Sequence, residues 1–91
     1  MDAKKTDKKM LQDLYEVIAS LETADDCRLL FEDLCTFKEL DKMAQRIRAA
    51  RLLLKDMTYA QVRDNCDISS ATLSRVSHCV KYGEGYSKFL K

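Results

Sequence analysis

Proline is absent from this 91-residue chain, and its two glycines, Gly83 and Gly85, stand together near the end. Nothing before them breaks a helix strongly or supplies a glycine hairpin turn, which favours helices almost everywhere. Long apolar runs are missing as well. None approaches the roughly 18 residues that a membrane span needs, and the first ten residues are too charged for a secretory signal. The expectation is a cytoplasmic protein with no membrane partner. The four cysteines, Cys27, Cys35, Cys66 and Cys79, form no C-x-x-C pair, and the one histidine, His78, is adjacent to Cys79 rather than at ligand spacing. Zinc and a disulfide framework are therefore disfavoured, and the cysteines are expected as small buried core residues. No phosphate-binding glycine loop or carboxylate-rich metal cluster is present. Consecutive residues on a helix project about 100° apart, so His78 and Cys79 make no nucleophilic pair. No metal site, catalytic residue or enzymatic activity is expected.

Hydrophobic residues make up 46% of the chain and charged residues 34%, a balance that suits a globular helical protein. At this length a single modest core leaves apolar surface poorly covered, so a partner subunit is plausible from the outset. The small net charge hides an asymmetry. Residues 1 to 36 carry five Lys/Arg against nine Asp/Glu, whereas residues 37 to 91 carry eleven against six. Lys42, Arg46, Arg48, Arg51 and Lys55 follow one another with no intervening acid. The basic part is the candidate nucleic-acid face, because such side chains neutralise phosphates and release counterions; a solvated helix face is the plainer alternative.

Beyond a flexible lead-in over residues 1 to 10, residues 11 to 91 read as one domain. Leu11, Leu14, Tyr15, Ile18 and Leu21 predict an amphipathic helix from about Asp7 to Leu21, with no partner for its stripe in its own segment. Thr23 and Asp26 mark a second start, and Cys27, Leu30, Phe31 and Leu34 give that helix its apolar side, ending near Cys35. Thr36 and Glu39 form a capping box, opening a third helix to about Lys55 that turns Leu40, Met43, Ala44, Ile47, Leu53 and Leu54 inward. Thr58 with Gln61 starts a short fourth helix reaching about Asn65, with Val62 and Cys66 buried. Asp67 then falls where a sharp turn, and a left-handed backbone, are expected. Ile68 plugs the gap, Ser69 caps a helix running to about Lys81, and a last short helix covers Tyr86 to Leu90.

Two short helices joined by a tight turn, the second beginning Ser69, Ser70, Ala71, Thr72, Leu73, Ser74, Arg75, suggest a helix-turn-helix over about 58 to 81. Short hydroxyl side chains at a helix start allow close approach to base edges, and a helix N-terminus favours phosphate. Arg75 and Arg63 add charge, and Arg48 and Arg51 are candidate phosphate contacts. An ordinary helical hairpin, or a protein interaction module that binds no DNA, is the alternative.

From Thr36 to Lys81, the stretch from Gln45 through Ile47 to Lys55, then Met57, Thr58 and the run Ala71-Thr72-Leu73-Ser74-Arg75, resembles the Trp repressor superfamily, especially its TrpR-related members of the YerC/YecD type. The resemblance implies an all-α fold in which the N-terminal helices of two chains interlock into one core, an intertwined homodimer. It implies a regulator of transcription, a repressor in the family's manner, that binds double-stranded DNA. Ser70, Ala71, Thr72 and Ser74 correspond to the DNA face of the reading helix and Arg63 to a basic residue of the preceding helix, while Ala60 lacks the family's basic side chain. Arg46 and Arg75 match the two arginines that flank tryptophan in the repressor, and Thr36 matches a threonine of that pocket. Val76 stands where the repressor has glycine, and Cys79 where it has serine. No cofactor is required by this pattern; tryptophan or a different planar ligand at Thr36, Arg46, Arg75 and Cys79 stays open as an effector.

Overall fold

The computed structural model describes residues 7–91 as six α-helices. They are α1 (Lys8–Ala19), α2 (Ala24–Leu34), α3 (Phe37–Leu54), α4 (Tyr59–Asn65), α5 (Ser70–Tyr82) and α6 (Gly85–Leu90). No strand occurs among the described residues. Of the lead-in expected over residues 1 to 10, residues 1–6 lie outside the described residues, and Lys8 to Met10 belong to α1. The helices fall into two compact units that divide between Thr36 and Phe37.

In the first unit, local chemistry sets each boundary. Asp7 caps α1 by accepting the Lys9 N–H at 2.8 Å, and the Ser20 hydroxyl closes the other end on the Val17 carbonyl at 2.6 Å. Thr23 caps α2 through the Asp26 N–H, where Asp25 and Asp26 also meet the positive end of the helix dipole. Arg28 bridges Asp25 and Glu32 on the outer surface; the Asp25 hydrogen bond first, then the Glu32 charge, raises its basicity further. No residue of either helix is buried. Both are amphipathic, yet Tyr15, Leu29 and Leu34 are each more than half exposed. Cys27, expected in a core, is exposed as well.

The second unit owns the core: Ala49, Ala50, Val62, Leu73 and Val76, with Leu52, Leu53, Met57, Cys66, Ile68, Val80, Tyr86 and Leu90 packed around them. The inward side of α3 agrees with the expected one at Leu40, Met43, Leu53 and Leu54, all half-buried, and departs from it elsewhere. Ala44 and Ile47 are exposed, and the fully buried positions are Ala49 and Ala50. Small residues there let α5 lie close against α3, so its Leu73 and Val76 occupy the space that larger α3 side chains would fill.

The left-handed turn also falls elsewhere. Asp67 has no positive φ; among the described residues the one that does is Asp56, with φ 67°. Its N–H reaches the Leu53 carbonyl at 3.1 Å, and the Met57 N–H reaches back to Leu52 at 3.2 Å. This paired pattern satisfies two carbonyls at the end of α3 and brings Met57 over Leu52, both packed against the core. The α4–α5 connection instead turns through extended backbone at Cys66 and Ser69. Thr58 and Gln61 form the expected reciprocal cap on α4. Helix α5 ends at Gly83, where a Cβ would stand 2.7 Å from the Cys79 carbonyl oxygen, so only glycine fits without a backbone shift.

Candidate nucleic-acid interface

Ser69 Oγ accepts the Thr72 N–H at 3.2 Å and donates to Thr72 Oγ1 at 2.9 Å, which starts α5 sharply. From that cap, Leu73 and Val76 turn into the core, while Ser70, Ala71, Ser74 and Arg75 stay exposed. Thr72 is half-buried, its hydroxyl engaged by Ser69. Helix α4 packs against α5 through Val62, and Ile68 fills the space beside the connection. The result is a fixed helix start whose outer surface is made of small and hydroxyl side chains.

The basic residues separate into groups. Arg63 lies in the last turn of α4 with its Nε 3.2 Å from Asp64. Arg48 and Arg51 are both exposed on α3, and Arg51 makes a long 3.4 Å contact with the Leu90 carbonyl. Among the described residues, Arg46, Arg48, Arg51 and Arg75 take part in no ion pair. Their charge is therefore open to an external anion.

Arg46, Arg75 and Cys79 come together in a cavity of about 470 Å³, joined by Ile47, Val76, Gly83, Gly85, Tyr86, Phe89 and Leu90. Val76 forms part of the wall with its side chain in the core, and the space remains open beside it. Thr36, the fourth residue expected at an effector site, closes the first unit. The α6 side of the cavity was illegible in sequence, because helical periodicity says nothing about which distant helix covers a surface. His78 packs beside Tyr82, with ring centroids 4.9 Å apart. Among the described residues no group of three His, Cys, Asp or Glu is arranged to hold a metal ion, and no helix is long and apolar enough to cross a membrane.

Sequence reasoning also passed over Tyr59. This first residue of α4 sends its hydroxyl across to α5, 3.1 Å from Ser74 Oγ and 3.4 Å from the Ser70 carbonyl oxygen. No capping or periodicity signal marks such a contact, since it joins positions 15 residues apart.

An all-helical chain with this helix order has close structural counterparts among Trp-repressor-like proteins. A candidate Trp repressor from Staphylococcus aureus, known from its crystal structure, is 32% identical and superposes with a TM-score of 0.85 over 99% of this chain and 91% of its own. A TrpR-like protein from Eubacterium eligens is 33% identical, with a TM-score of 0.81 over 89% of this chain and 84% of its own. The uncharacterized protein YerC of Bacillus subtilis is 40% identical over 75 residues, which span 82% of this chain and 72% of YerC. The family described as Trp repressor protein matches residues 9–91. The chain belongs to the Trp repressor family, and to its TrpR-related YerC type.

Proposed function

We propose that this protein is a sequence-specific DNA-binding regulator of transcription, a repressor in the manner of its family, in which α4 and α5 act as a helix-turn-helix. The observation that carries the reading is the start of α5. Its cap is closed by Ser69, its inner side is anchored by Leu73 and Val76, and it offers Ser70, Ala71, Ser74 and Arg75 outward. Small hydroxyl side chains let a helix backbone approach base edges, and Arg48, Arg51, Arg63 and Arg75 supply contacts to phosphate. Two chains interlock through α1 and α2 into one intertwined domain over residues 11 to 91, and the paired reading helices enter successive major grooves about 34 Å apart. The protein works in the cytoplasm by occupying DNA, without catalysis.

A small effector with a planar apolar body and a carboxylate suits the cavity between Arg46 and Arg75, where guanidinium groups pair with the anion and Tyr86 and Phe89 meet the plane. Tryptophan and other planar ligands are the candidates, with Cys79 as a polar neighbour in the cavity wall. Calorimetry on the intact protein checks this: heat of binding that vanishes in Arg75→Ala supports an effector site, and no heat with tryptophan or other indoles removes it.

Selection of bound sites from random duplexes tests the main reading, followed by salt titration of the recovered site. Enrichment of a nearly palindromic sequence is expected, with affinity falling steeply as salt rises. Arg48→Gln should weaken all sequences alike and lower the salt slope by about one. A chain with no salt-dependent affinity for duplex DNA would instead be a protein interaction module.

A further inference from the structure

We propose that Tyr59 is a positioning residue of the reading surface: its hydroxyl holds the start of α5 and keeps the Ser74 hydroxyl directed outward as a donor to an acceptor on the duplex. The inference rests on the DNA-binding reading and adds to it a residue outside the reading helix. Tyr59 Oη stands 3.1 Å from Ser74 Oγ and 3.4 Å from the Ser70 carbonyl oxygen, so one phenol meets two groups a helical turn apart on α5.

The phenol has a single proton, which leaves two arrangements. It can donate to the Ser70 carbonyl while accepting from Ser74, or donate to Ser74 Oγ and free the serine proton. A base-edge acceptor beside Ser74 selects the second, because it takes the serine proton while the tyrosine proton completes a chain of hydrogen bonds in which each strengthens the next. Without the phenol the balance changes. A serine in a helix readily turns its proton back to the carbonyl four residues earlier, here Ser70, and then has only lone pairs to offer outward. A proton donated by Tyr59 to Ser74 Oγ makes the serine a stronger donor, so an acceptor on the duplex draws the serine proton outward in preference to the Ser70 carbonyl. Among the described residues, the Tyr59 side chain is the one hydrogen-bond link from α4 to α5, while Val62 holds the two helices together in the core.

A double-mutant cycle over Tyr59→Phe and Ser74→Ala tests this, with the selected duplex, a random duplex and amide exchange in α5 as three measurements. Loss of one such bond corresponds to about a five-fold fall in affinity. Tyr59→Phe should show that fall on the selected duplex with little change on the random one, and add almost nothing once Ser74 is alanine. Faster exchange at the first-turn amides of α5 should accompany it. A merely structural role would instead weaken both duplexes together. An equal loss in the Ser74→Ala background, or unchanged selective affinity in Tyr59→Phe, overturns the proposal. A parent chain that binds neither duplex overturns the regulator reading itself, and exchange coupling between the two positions then shows the latch to be structural only.

Discussion

Position along α5 decides what a side chain can do, and neighbours in sequence have opposite duties. Leu73 is fully buried, whereas Ser74 and Arg75 beside it are exposed. Leu73→Ala should therefore destabilise the protein by about 2–5 kcal/mol, because it leaves a cavity where α3, α4 and α5 meet. Chemical denaturation would measure it. Thr72 lies between the two classes, half-buried with its hydroxyl held by Ser69. Thr72→Phe should abolish selective DNA binding while the dimer survives in sedimentation; unchanged sequence preference would count against the α5 surface as the reader. Most residues of that surface were legible in sequence, since Ser69 is a strong cap and Leu73 and Val76 repeat at helical spacing. Tyr59 was not, because its partner is reached only after two helices have packed.

At the scale of the element, the ends of helices were easier to read than their faces. Caps are local: Thr23, Thr58 and Ser69 each bond an N–H three residues on, a relation written in the sequence itself. The buried face of α3 was read only in part, because periodicity favours large apolar residues such as Leu53, and the fully buried positions are Ala49 and Ala50. The left-handed residue was misplaced for a related reason. Asp56 and Asp67 are equally suited to such a turn, and only the return of the chain from α3 to α4 selects the first. Asp56→Gly should raise stability by up to about 1 kcal/mol, since glycine adopts positive φ without strain and removes a negative charge from a helix C-terminus. Thermal unfolding checks the sign, and a lower melting temperature would contradict this account of the turn.

The molecule as a whole has two unlike parts, one with a core and one without. Residues 37 to 91 bury Ala49, Ala50, Val62, Leu73 and Val76, while α1 and α2 bury nothing and leave Tyr15, Leu29 and Leu34 open to water. Apolar stripes of that kind are stable when covered, and in the dimer proposed above a second copy of the chain would cover both sets at once. The melting temperature should rise with protein concentration, as it does for a dimer in which folding and association are linked. Leu29→Asp should lower it and shift the protein toward monomer in sedimentation.

Sequence alone determined the helices, their caps and the polar character of the α5 start, because each follows from interactions within about four residues of the chain. Its motifs also placed the chain among Trp-repressor-like proteins. Tertiary structure alone decided that alanines line the α3 contact, that Asp56 makes the left-handed turn, that Tyr59 reaches Ser74, and that α6 completes the cavity beside Arg46 and Arg75. Those features depend on which surfaces meet when helices pack, and contact between distant segments leaves no fixed spacing in the sequence.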